Sequence, residues 1–138
     1  MPGFLRITPP EGREAVWLAP AQVVRIGQVE GYTVLDTAAW VQQRTVEPAE
    51  AVARRLAETG LRLLPLTDLN GRRIWLAAER IVLVRDSQAR HAPGARAAIV
   101  MVGLRFGFDV AVRESVEEVM AGLRRLLVAP GDTVPTTN

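Results

Sequence analysis

The feature that most constrains this chain is that it nearly repeats itself. The stretch "RESVEEVMAGL" (113–123) opens a helix, and a fainter echo, "VEPAEAVARRL" (46–56), lies upstream. Ala49, Val52, Ala53 and Leu56 fall on Val116, Val119, Met120 and Leu123 at a constant spacing of 67 residues. In front of the helices, "LRIT" (5–8) falls on "LPLT" (64–67) at a spacing of 59. "EGREAVWLAPAQVVRI" (11–26) falls on "NGRRIWLAAERIVLV" (70–84) with one residue dropped. Gly12 then meets Gly71, Trp17 meets Trp75, and Val23-Val24 meet Ile81-Val82. The spacing widens because the second copy carries the loop "DSQARHAPGARA" (86–97) where the first has "GQVEG" (27–31). A period of ~60 residues marks one supersecondary unit used twice.

Each unit reads as short strands followed by one helix. In the second helix, Ser115 followed by Glu118 has the spacing of a capping box. Val116, Val119, Met120, Leu123 and Leu127 recur at helical spacing as one apolar stripe. Glu117 and Glu118 open the helix and Arg124 and Arg125 close it, as the helix dipole favours. "VAPG" (128–131) ends it, and "DTVPTTN" (132–138) reads as a flexible tail. In the first helix Pro48 suits the first helical position, Ala49, Val52, Ala53 and Leu56 form the stripe, and Gly60 is a stop residue. "RIVLV" (80–84) and "AAIVMV" (97–102) are β-rich, "NGRR" (70–73) suits a hairpin turn, and "RFG" (105–107) another. The expected fold class is α+β: a tandem repeat of two small antiparallel ββββα units in a pseudo-two-fold arrangement. The units span 1–60 and 61–129, and the tail 130–138.

The matching residues of the second unit resemble the FlbD-type family of small flagellar proteins, which includes the swarming-motility protein SwrD. They are Leu66, Thr67, Leu69, Asn70 and Gly71, then Ala77, Ile81, Gly107, Val110 and Val112, and finally the run Glu114–Val119, "ESVEEV". The resemblance covers roughly residues 63–127, and the first unit enters it only through the internal repeat. This chain departs from the family in being duplicated, in lacking lysine and in its long loop at 86–97. The resemblance implies a non-enzymatic, assembly-associated role, with the flagellum as one setting.

Composition narrows the chemistry. There is no cysteine, so disulfides and thiolate metal sites are excluded. All 17 basic residues are arginine, and the formal net charge is only +2. One reading is the codon usage of a GC-rich genome; the functional alternative is bidentate contact with phosphate or carboxylate. No apolar run reaches the length of a membrane span, and the N-terminus lacks a secretory pattern. The expected location is therefore cytoplasmic or within a larger protein assembly.

Candidate catalytic groups are scarce. His91 is the only histidine and sits in the long loop beside Arg90, Pro93 and Arg96, where it is expected to be solvated. Ser87 and Ser115 are the only serines, and Ser115 already serves as a helix cap. No metal, cofactor or catalytic residue is expected, and the chain is expected not to be an enzyme. Arg72, Arg73, Arg90 and Arg96 form a candidate basic surface that, with Trp75, would suit an arginine-based nucleic-acid binder. Set against this, Trp17 and Trp75 hold matching positions, which suggests a shared packing role.

The strands favour a different class. "IVLV" (81–84) and "AAIVMV" (97–102) do not alternate apolar with polar residues, so both faces of that sheet ask for cover. The unit's own helix can cover one. The other unit, a second copy of the chain or a partner protein must cover the other. Val82, Val84, Val100 and Val102 are accordingly the candidate interface. The expected function is a protein-binding or assembly module, an accessory or structural part of a larger bacterial or phage assembly, acting with a protein partner or as a homo-oligomer.

Overall fold

The structure, a computed structural model, describes residues 3–12, 14–104 and 108–128. The expected turn at 105–107, Gly107 and the tail 130–138 lie outside the described residues. The fold is mixed α+β with antiparallel sheets and two helices.

The first half runs β1 (Leu5–Ile7), β2 (Val16–Leu18), a 3-10 turn (Pro20–Gln22), β3 (Val23–Val29), β4 (Tyr32–Thr37), β5 (Gln42–Thr45) and α1 (Ala49–Glu58). The second runs β6 (Leu63–Thr67), β7 (Arg73–Ala77), a 3-10 turn (Ala78–Arg80), β8 (Ile81–Asp86), β9 (Ala97–Met101), β10 (Val110–Val112) and α2 (Val116–Leu127). Each half thus holds five described strands where the sequence suggests four. The order of elements is the same in both.

The strands do not stay within their halves. One sheet has the order β5-β4-β3-β7-β6, joined by antiparallel pairing of Arg25 with Leu76 and of Ile26 with Trp75. β1 and β2 form a separate hairpin, and β10-β9-β8 a separate three-stranded sheet. Alternation along the shared sheet feeds two cores. Val23, Ile26 and Leu63 face a cluster with Ile7, Leu35 and α1, whereas Val24, Leu64, Leu66, Ile74 and Leu76 face a cluster with Ile99, Val112 and α2. Each fully buried Leu, Ile or Val contributes about 1.5–3 kcal/mol, so neither half could expose its side of this sheet cheaply.

The helices follow their sequence patterns closely. α1 buries Ala49, Val52, Ala53 and Leu56, with Pro48 just outside as its N-cap. Gly60, at φ +99, carries the chain away after the cap residue Thr59. At the start of α2, Ser115 Oγ accepts from Glu118 N–H at 3.2 Å while Ser115 N–H donates to Glu118 Oε1 at 2.9 Å. α2 buries Val119, Gly122 and Leu123, with Val116, Met120 and Leu126 partly covered. Leu127 is exposed instead of continuing the stripe.

A carboxylate ties the first strand to the approach of the helix in both halves. Thr67 donates to Glu114 through its N–H (2.9 Å) and its hydroxyl (2.8 Å). Thr8 N–H donates to Glu47 Oε2 at 3.3 Å, and Glu47 also pairs with Arg55. The β6–β7 turn is organised by Asp68, whose Oδ1 accepts from Asn70 N–H (2.9 Å) and Arg72 N–H (2.8 Å). Gly71 there, not Asn70, takes the positive φ.

Candidate binding surface

β8 begins with four uncharged apolar residues, Ile81 to Val84. It pairs antiparallel with β9, matching Leu83 with Val100 and Val84 with Ile99, and its register slips between Ile81 and Leu83. That irregularity shifts the alternation. Of the four valines that the sequence nominates, Val82 and Val102 are exposed, and Val84 and Val100 are half-buried. Val84 leans on the second core. They do not share one open face. Leu83, which even spacing from Val82 and Val84 passes over, is exposed instead.

Among the described residues, β8 is paired along one edge only, with β9, and β2 along one edge only, with β1. Near these edges lie exposed apolar side chains: Val82 at 57% and Leu83 at 42% on β8, Trp17 at 49% on β2, and Phe4 at 41% beside β1. The residues that align with Phe4 and Trp17 in sequence are covered. Leu63, which aligns with Phe4, is 8% exposed, and Trp75, which aligns with Trp17, packs on the first core. The cause is the β3–β7 pairing, which sets Trp75 opposite Ile26. Trp17 has no strand on that side among the described residues, so the matched tryptophans do not share a packing role.

The four nominated arginines are all exposed and do not act as one set. Arg72 and Arg73 lie at the β6–β7 turn, where Arg72 Nη1 donates to Gln28 O at 3.4 Å. Arg90 and Arg96 turn onto carboxylates, Arg90 reaching Asp109 Oδ2 at 2.6 Å and Arg96 reaching Glu118 Oε1 at 3.3 Å.

His91 is not solvated, contrary to the expectation from its loop. Its side chain is 7% exposed, its Nδ1 accepts from Gln88 N–H at 2.7 Å, and its Nε2 lies 3.2 Å from both oxygens of Asp109. Arg85 completes the cluster at 3.4 Å. Burial pushes the Asp109 carboxyl up, but hydrogen bonds and charge from Arg90 and His91 outweigh it and hold the group below its ordinary value. The cluster fastens the 86–97 loop to the start of β10. Among the described residues, no three histidine or carboxylate side chains gather as a metal site.

A second feature escapes sequence reading. Trp40 and Phe108 line a groove of about 500 Å3 together with Arg25, Asp36, Gly103 and Asp109. Trp40 sits at φ +65, a left-handed conformation rare for a bulky residue. The tight β4–β5 turn imposes it, closed by Trp40 N–H to Thr37 O (3.0 Å) and Thr37 N–H to Val41 O (3.1 Å). No local pattern relates Trp40 to Phe108, because only tertiary structure brings the two loops together.

No described helix is long and apolar enough to cross a membrane. Comparison with protein-family models, curated proteins and solved structures finds no match.

Proposed function

We propose that the protein is a non-enzymatic binding module that joins a larger protein assembly through the apolar edge of β8. The observation that carries this is the open, uncharged start of that strand, with Val82 and Leu83 exposed. Monomers seldom leave contiguous apolar surface uncovered. A free strand edge can also add a strand from another chain, main-chain hydrogen bonds giving affinity and side chains giving selectivity. The FlbD/SwrD resemblance supports an assembly role and offers the flagellum as one setting among bacterial or phage assemblies.

Internal duplication belongs to the same proposal: the two halves are copies of one unit in a pseudo-two-fold arrangement about the 3-10 turns, which the β2 and β8 edges, open among the described residues, leave incomplete within one chain. The twice-used element order supports it, as do the Thr8–Glu47 and Thr67–Glu114 bonds at matched positions. So do two more matched bonds, Ala38 N–H to Gln22 O and Val102 N–H to Arg80 O, both 2.8 Å. Arg80 Nη2 donates to Ala21 O at 2.6 Å, bringing the two turns together.

Immobilised wild type and Leu83→Arg, exposed to extract of the source cells and read by mass spectrometry, test the function. A protein held by wild type and lost by Leu83→Arg, with circular dichroism unchanged, is the expected result. Equal retention by both would refute it. Binding to DNA that weakens steeply as salt rises would favour the arginine reading instead. Arg90 and Arg96 are already engaged by carboxylates, which counts against that outcome.

A further inference from the structure

We infer that the partner of the β8 edge is β2 of a second copy of this chain. The inference deepens the binding-module reading and rests on it. Within one chain, β3 of the first half pairs with β7 of the second, Arg25 opposite Leu76 and Ile26 opposite Trp75. In the sequence repeat β3 aligns with β8, and β7 with β2. The matching joint is therefore β8 with β2, Leu83 opposite Leu18 and Val84 opposite Trp17. Among the described residues that joint is not made, and both of its halves are open.

The exposed side chains fit this occupant. Leu63 and Trp75 gain cover from the joint that exists, whereas Phe4 and Trp17, at the matching positions, lack it and stand exposed with Val82 and Leu83. The two edges of the five-stranded sheet point the same way. β5, the outer edge of the five-stranded sheet, reads Gln-Gln-Arg-Thr, and β6 at the opposite edge carries an exposed Pro65. Polar residues and proline blunt an edge against pairing. β2 reads Val-Trp-Leu and β8 begins Ile-Val-Leu-Val, without charge or proline until Arg85 and Asp86 at the far end of β8. Each chain offers one edge of each kind, so two copies can exchange both joints and close as a two-fold dimer.

Size-exclusion chromatography with light scattering tests this on the full chain. Wild type is expected at no less than twice the chain mass of 15.1 kDa. Leu83→Arg on β8 and Trp17→Arg on β2 should each run as monomers with unchanged circular dichroism, while Val46→Arg should leave the size unchanged. Because the chain has no cysteine, Trp17→Cys chains mixed with tagged Val84→Cys chains should form a disulfide between the two kinds. Trp17→Cys mixed with Gln43→Cys, on β5, should not. A wild type that stays monomeric at high concentration overturns the inference; capture of a different protein that Leu83→Arg abolishes would then leave the binding-module reading standing. Two results overturn it equally: an oligomer that survives Trp17→Arg, and a Trp17→Cys/Val84→Cys double variant that closes its disulfide inside a monomer.

Discussion

Gly103→Ala measures how tightly the two halves interlock. Gly103 lies beyond β9 at φ +101, against the first half of the chain. A Cβ there would stand 2.7 Å from Val24 Cγ2 and 3.2 Å from Ala38 Cα. Val24 is fully buried in the shared sheet, and the Ala38 contact is backbone, so neither can yield easily. Alanine in this left-handed conformation costs about 1–2 kcal/mol wherever it sits. Overpacking against a fixed neighbour adds about 1–3 kcal/mol. A loss of about 2–5 kcal/mol in a chain of this size lowers Tm by something on the order of 10 °C. Gly60→Ala is the matched control, since its φ is +99 and nothing lies within 4 Å of the added Cβ. It should show the conformational cost alone. Urea denaturation of both variants gives the difference, expected to be at least about 1 kcal/mol with m unchanged. Equal losses would mean that the β9–β10 connection does not seat on Val24 and Ala38, and the account of the interlock would be wrong.

Ser115→Ala should lower stability by about 1 kcal/mol through loss of the α2 cap, read as a shift in the urea midpoint. Glu114→Ala removes both bonds to Thr67 and should cost about 2 kcal/mol, with Glu114→Gln falling between it and wild type. Because the Asp109 carboxyl is held below its ordinary value when folded, its contribution is complete above the ordinary carboxylate pKa. The contribution is lost as pH falls from about 4 through the lowered folded value. Asp109→Asn should therefore be less stable at neutral pH and show a shallower loss on acidification, in paired thermal melts across that range.

The parts of the fold that are legible in the sequence are those set by neighbours in the chain. Ser115 and Glu118 are three residues apart, and Ala49, Val52, Ala53 and Leu56 lie within three helical turns. Spacing alone identifies both, since a helix makes its contacts locally. Strands β1, β2 and β10 have three residues each, too few to establish a period of two. β5 is polar at every position and resembles a loop in composition. Pairing of β3 with β7 leaves no local mark, because it sets Ile26 opposite Trp75, far apart in sequence.

The candidate surface divides along the same line. The patterns "IVLV" and "AAIVMV" ask for cover on both faces; β9 is buried or half-buried along its length within the chain, and the exposed apolar positions are Val82 and Leu83, where the register slips, and Val102 just past β9. Nothing in the sequence marks His91 as covered, because Asp109, which anchors it, lies 18 residues away. Trp17 and Trp75 state the limit most plainly. They are the same residue at matched positions, each in the second strand of its half and each followed by a 3-10 turn. One packs on the first core because β3 lies beside its strand, and the other is half exposed because β2 has only β1. The residue and its local structure are common to both, so only strand pairing over long range separates a core tryptophan from a surface one.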